Sequence, residues 1–303
     1  MLRIRLIALL GALLLLIGAA CGGEDTGANA PQPDDDAAED NGANGEEASG
    51  LLATVQNAGV LRVSTDPAYP PQSSLNTQGE YEGFDIDVAT EIANRLGVEI
   101  AWETPSWDTI TAGNWSGRWD ASVGSMTVTP ERAEVLHFTP AYYYTPASVA
   151  VHADNTDITD VATDLDGKTI GVCSGCTYDF YLEQTLDIPG EEIEFVIDDA
   201  EIKGYDTDSS AINDLEIGDG RRLDAVISAT PTLEGAVDKG KAIKIAGDPI
   251  FYEPLAVAID QNAPEDPMPL VEAISDIIEE MHADGTLSEL SMKWYGTDLT
   301  QKV

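Results

Sequence analysis

Two stretches of this chain echo each other. "GRWDASVGS" (117–125) and "RRLDAVISA" (221–229) each place a short apolar run just ahead of a helix opening on Thr-Pro. Each run reads as a buried strand whose carboxyl end feeds a loop, and proline suits the first helical position. The recurrence predicts two similar α/β lobes. Ligands of open α/β sheets sit at the carboxyl ends of the strands. Two such edges facing each other would form a cleft.

The intervening sequence alternates strands and helices. "VLRVST" (60–65), "VEIAW" (98–102), "KTIGVCSG" (168–175) and "LDAVIS" (223–228) read as strands, as do "AIKIAG" and "LAVAID". "DIDVATEIANRLG" (85–97) places Ile86, Ala89, Ile92, Ala93 and Leu96 on one face, with Gly97 as the stop. "TPERAEVLHF" opens a helix capped by Thr129. "TYDFYLEQTL" (177–186), which Thr177 would cap, is predicted helical, and so are segments 207–218, 230–240, 269–285 and 286–296.

The ends address compartment. Arg3 and Arg5 precede an uncharged, mostly apolar run, Leu6 to Ala20, that is too short to span a bilayer comfortably and suits a signal-peptide core. Small residues then lead into Cys21, as in a bacterial lipoprotein signal, so residues 1–20 are expected to be cleaved and Cys21 lipidated. An ordinary secretory signal is the alternative. Residues 21–50 are acidic and nearly free of large apolar side chains, the composition of a flexible tether. About 250 residues remain, enough for one large domain or two small ones. The chain carries 55 acidic and 15 basic residues, a formal charge of −40. Such a chain cannot neutralise a row of phosphates, which excludes nucleic acid as a partner. Excess acid also suits a saline habitat, where salt screens self-repulsion.

Little supports catalysis. His137, His152 and His282 lie in no nucleophile or metal motif, and no nucleophile elbow or phosphate loop is present. No cofactor or metal is expected. A set of residues does suit gripping a small polar molecule. Tyr69 and Trp107 could form an apolar wall. Ser125 and Thr127 leave a strand, and Arg132 follows on the next helix, where a guanidinium can hold a carboxylate in bidentate fashion. Each also has a plain reading, the aromatics as core and Arg132 as a surface charge.

"VCSGCTY" (172–178) contains Cys173 and Cys176. One C-x-x-C supplies two zinc ligands and no second pair exists, so a structural zinc site is not expected. A redox site fits the strand-to-helix position. A local disulfide fits an oxidising extracytoplasmic compartment, with Cys21 unavailable once lipidated.

Jointly, "GVLRVSTDPAYPP", "GEYEGFDIDVATEIANRLG", "GSMTVTPERAEVLHFTPAYYY", "LDGKTIGV", "DPIFYEPLAVAID" and "ADGTLSELSMKWYG" resemble the family-3 extracellular solute-binding proteins, the polar amino-acid receptors of ABC importers, over roughly Leu51 to Gly296. The resemblance implies an α/β, two-lobed periplasmic-binding-protein-like fold of type II with the ligand cleft between lobes. Residues 51–146 and 254–303 would form lobe 1, and 147–253 lobe 2. It implies a monomer that binds an amino acid or related small carboxylate and delivers it to a membrane permease. Asp66, Tyr69 and Trp107 would line the pocket. Gly124, Ser125 and Thr127 would offer backbone and hydroxyl contacts. Arg132 would pair with the ligand α-carboxylate, and the loop from Cys173 to Thr177 would give it backbone N–H groups. In that setting Cys173–Cys176 reads as a staple shaping an anion-binding turn.

One position departs from the family pattern. Amino-acid binders commonly place an Asp after the second-lobe "DAV" strand to accept the ligand ammonium; here Ala229 stands there, preceded by Ser228. Either another acid substitutes, with Asp66 and Asp206 as candidates, or the ligand is not an ordinary α-amino acid. Two other functions share the scaffold: a dehydratase-like enzyme acting on a small cyclic carboxylate, and a sensory binding protein.

Overall fold

The structure, a computed structural model, describes residues 48–302. The signal segment, Cys21 and nearly all of the tether lie outside the described residues. The chain begins with α1 (Gly50–Ala58), β1 (Val60–Ser64), β2 (Ala68–Tyr69), β3 (Ser73–Leu75), β4 (Tyr81–Glu82), α2 (Phe84–Leu96) and β5 (Glu99–Glu103). It continues through α3 (Trp107–Thr111), β6 (Ala121–Thr127), α4 (Pro130–Ala133) and the long β7 (Leu136–His152). Then come α5 (Val161–Asp164), β8 (Thr169–Cys173), α6 (Thr177–Leu182), β9 (Glu201–Tyr205), α7 (Asp208–Glu216), β10 (Ala225–Ala229) and α8 (Thr230–Asp238). The long β11 (Ile243–Asp260) and helices α9 (Met268–Ala283) and α10 (Thr286–Tyr295) complete it.

Eight strands form one sheet in the order β5-β1-β6-β11-β7-β10-β8-β9, and β2, β3 and β4 form a small meander. The large sheet reads alike from both edges. β5, β1 and β6 pair in parallel and meet β11 antiparallel. β9, β8 and β10 pair in parallel and meet β7 antiparallel. The two echoed segments therefore hold the same place, as the third strand of each half. Their shared Asp explains the echo. Asp120 accepts the Arg62 N–H at 2.9 Å and its own N–H reaches the Arg62 carbonyl at 2.8 Å. Asp224 does the same to Thr169, at 2.9 Å in both directions. Each carboxylate ties the start of a third strand to the first strand beside it.

β7 and β11 cross from one half to the other and pair along nearly their full length. One apolar cluster joins Leu51 to Tyr143 with Leu255 to Leu287, and another lies between Ala147 and Phe251. Helix α2 shows why its sequence folds so: Phe84, Val88, Ala89 and Ile92 are buried on one face, and Gly97 stops it in the left-handed region, its N–H returned to the Ala93 carbonyl.

Three local expectations differ. The helix opened by Thr129 is one turn, because the β-prone alternation from Leu136 carries the chain into β7. The helix expected over 177–186 ends at Leu182, and its N-cap is Cys176 rather than Thr177. "AIKIAG" and "LAVAID" are the two ends of a single strand, bulged between Ala246 and Phe251.

Candidate ligand-binding site

The carboxyl ends of β1, β6 and β8 converge on a cavity between the two halves of the sheet. Asp66, Tyr69, Trp107, Gly124, Ser125, Thr127, Arg132, Cys173 and Thr177 all line it. Ser228 is buried behind the wall and meets the cavity through Asp208. Asp206, Asp208, Cys176, Tyr178 and Glu253 complete the lining.

After β1, Asp66 accepts the Ala68 N–H at 2.7 Å, a turn that holds Tyr69 in the wall. Burial raises the Asp66 carboxyl above its usual range, although the backbone bond opposes the shift. On β6, Ser125 takes a left-handed conformation (φ 55°). Its N–H reaches the Tyr142 hydroxyl at 2.9 Å and its Oγ donates to Asp85 at 2.7 Å.

Arg132 is 4 % exposed. Thr129 caps its helix by accepting the Arg132 N–H at 3.3 Å. The guanidinium lies 5.1 Å from the Trp107 ring and 5.8 Å from the Phe180 ring, as cation–π pairs. Burial lowers its pKa to about 10, against the opposing pull of Glu253, so it stays charged at neutral pH. Nη1 donates to the Thr127 carbonyl at 2.9 Å and Nη2 to the Gly175 carbonyl at 3.0 Å. Trp107 Nε1 donates to that same Gly175 oxygen at 3.1 Å. Residues of the first half thus grip the β8–α6 loop of the second. Ser209 Oγ to the Ala68 carbonyl (2.6 Å) and Thr232 Oγ1 to Gln72 Oε1 (3.1 Å) add two more cross-cleft bonds.

Cys173 and Cys176 form a disulfide across that loop. Gly175 between them has φ 67°, where a side chain would be strained. Most loop N–H groups are engaged: Ser174 with the Tyr205 carbonyl, Gly175 with Asp179, Cys176 with the Cys173 carbonyl. Thr177 does not cap α6; its hydroxyl donates to Glu253 at 2.6 Å.

Sequence reasoning missed Glu253, Asp208, Tyr178 and Asp85. Glu253 is 2 % exposed and sits in β11 between buried Phe251 and Leu255. Period-2 alternation from those two neighbours marks it as inward-facing, the signal that could have found it. Its carboxylate accepts from Thr127 Oγ1 at 2.6 Å, Thr177 Oγ1 at 2.6 Å and Tyr178 OH at 2.9 Å. Burial raises its pKa, opposed by these three bonds and by Arg132. Asp208, 5 % exposed at the start of α7, accepts from Ser228 Oγ at 2.6 Å, and burial pushes its carboxyl up to about 7. Ala229 is buried and supplies no acid. The cavity therefore sets four carboxyls, Asp66, Asp206, Asp208 and Glu253, against one guanidinium.

The profile of the bacterial extracellular solute-binding proteins, family 3, matches residues 61–297. The chain belongs to this family. It is similar to the L-cystine-binding protein TcyJ of Escherichia coli (strain K12), 30 % identical over 83 % of this chain and 88 % of that protein. Among solved structures it is similar to an ancestral arginine-binding protein bound to arginine, with TM-score 0.68 and 30 % identity over 78 % of this chain and 99 % of that one. It is also similar to an ancestral amino acid-binding protein described as a precursor of cyclohexadienyl dehydratase, with TM-score 0.70 and 27 % identity over 80 % and 99 % of the two chains. The family accounts for the two halves and the cleft between them: the molecule is an α/β solute-binding protein with two lobes. Among the described residues no helix is long and apolar enough to cross a membrane.

Proposed function

We propose that this protein is the extracytoplasmic binding component of an ABC importer, anchored through lipidated Cys21. It captures an amino acid or a related small polar solute carrying a protonated nitrogen. The observation that carries this reading is the cavity at the facing strand ends, where Arg132 and Trp107 reach across to the Gly175 carbonyl and four carboxyls meet one guanidinium. A solute seated there touches both lobes, so binding favours the closed arrangement, which the permease reads. The protein acts as a monomer, with residues 51–146 and 254–303 as one lobe and 147–253 as the other. Calorimetry against amino acids and small amines tests the ligand class; no heat with any of them would refute it. Mass spectrometry of membrane-extracted protein tests the anchor, expected as a diacylglyceryl adduct on Cys21 that Cys21→Ser removes.

One observation favours the enzymatic alternative. Asp208 titrates near neutrality inside the cleft, as a general acid or base would. The names of the similar proteins, which bind cystine and arginine, support binding instead. Chromatography of a bound solute after prolonged incubation should return it unchanged; a new product peak would favour the enzyme.

A further inference from the structure

Solute binding uses the C-x-x-C only as a staple, yet its sulfurs are not hidden in the core. Cys173 and Cys176 both line the cavity. Cys173 is 5 % exposed and Cys176 is the more open of the two. Their Sγ atoms and a carboxylate oxygen of Asp208 all lie within 4.8 Å of one another. The disulfide sits on the β8–α6 loop and Asp208 at the start of α7, so only the tertiary fold brings them together.

A disulfide open to a solute cavity is an electrophile, and the species that attacks it is a thiolate. Four carboxyls against one guanidinium disfavour the entry of a thiolate and attract an ammonium. A small aminothiol therefore suits this cleft if its thiol enters neutral and loses its proton beside the disulfide. Asp208 stands at that point. It accepts from Ser228 Oγ at 2.6 Å, and no other side chain among the described residues donates to it. It faces the Asp66 carboxyl from the β1 loop, the Glu253 carboxyl from β11, and the Tyr69 and Tyr178 hydroxyls. Burial pushes its carboxyl up to about 7. Proton transfer from a thiol near pKa 8.5 is roughly 40,000-fold uphill to an ordinary carboxylate near 3.9, and about thirty-fold uphill to this one.

We propose that Cys173–Cys176 is a reactive disulfide, at which a small aminothiol is held covalently by thiol–disulfide exchange while Asp208 carries the proton. The inference rests on the reading of this cleft as the binding site. The aminothiol S–H gives its proton to Asp208. Its sulfur bonds to Cys176 Sγ, the more open of the pair, and the Cys173–Cys176 bond breaks with its electron pair passing to Cys173. Asp208 returns the proton to Cys173 Sγ. The solute sulfur is oxidised to the disulfide level as Cys173 is reduced to a thiol, with no outside oxidant. Attack by Cys173 on the mixed disulfide reverses each step and releases the solute unchanged.

Cysteamine tests this. The mature full-length protein is incubated with it, quenched with N-ethylmaleimide and mapped by peptide mass spectrometry. Cys176 should carry cysteamine and Cys173 the maleimide. The adduct should form at least about ten-fold faster in the folded protein than in the urea-unfolded protein. Mercaptoacetate, a thiol of similar size with a carboxylate in place of the ammonium, should show no such gain over its own unfolded-state rate. In wild type the cysteamine rate should level off above about pH 7, where Asp208 is ionised. In Asp208→Asn it should be lower and keep rising toward about pH 8.5 with the thiol's own ionisation. A smaller folded-state gain, or a gain shared by mercaptoacetate, overturns the inference, and so does a wild-type pH profile that matches folded Asp208→Asn. The solute-binding reading survives each of those results, because calorimetry with amino acids and amines decides it separately. Should Asp208→Asn not fold, the wild-type rates with the two thiols decide.

Discussion

Asp85 provides a test of the electrostatics behind the cleft. It is fully buried and accepts from Tyr142 OH at 2.8 Å and Ser125 Oγ at 2.7 Å. Burial pushes its carboxyl from 3.8 up to about 7, opposed by those two bonds. The native state therefore keeps a proton that the unfolded chain releases. Its contribution to stability is fully present below about pH 4 and is lost as pH rises through about 7. Between pH 5 and pH 8 this one group should lower unfolding stability by roughly 2–3 kcal/mol, or roughly 5–10 °C in Tm for a domain of this size. The surface acids also titrate toward pH 5, relieving self-repulsion, so the wild-type slope alone does not isolate Asp85. Asp85→Asn does. Its amide keeps an acceptor for one hydroxyl and a donor for the other, and it cannot ionise. The assay is urea unfolding of wild type and variant at half-unit steps from pH 5 to 8. The stability difference should move in the variant's favour by roughly 2–3 kcal/mol across that range. A difference that stays constant from pH 5 to 8 would refute the assignment of a neutral, buried Asp85.

Arg132→Ala removes two bonds to carbonyls, one of them across the cleft, together with the stacking on Trp107. Affinity for whichever solute binds should fall more than ten-fold by calorimetry; unchanged affinity would place the site elsewhere. Reduction of Cys173–Cys176, or the double Ser substitution, frees a loop that both Trp107 and Arg132 hold at Gly175. It should weaken binding and lower unfolding stability by about 2 kcal/mol in the chain-entropy model, and equal affinities would make the staple structural only. With a formal charge of −40, Tm should rise as sodium chloride goes from 0.1 to about 1 M, where the Debye length falls to about 3 Å. A flat Tm would mean that self-repulsion does not limit this fold.

Much of the fold is legible in residue order, because it rests on local period and punctuation. The 3.6-residue spacing of Ile86, Ala89 and Ile92, the Gly97 stop and the repeated Asp-Ala before a strand mark the elements and their doubling. The residues that line the cavity and were singled out from sequence lie where strands end, a placement that strand–loop–helix order already implies. What each buried polar atom bonds to is a different kind of property. Thr127 and Glu253 are 126 residues apart, Thr177 and Glu253 76, and Ser228 and Asp208 20. Alternation along β11 says that Glu253 points inward but not what it meets, and a helix-start acid such as Asp208 is ordinary by position. Tertiary structure alone decided that the hydroxyls expected to hold a ligand already hold Glu253. Buried donors and acceptors are satisfied by whichever partner the fold brings near, and sequence separation carries almost no information about that choice.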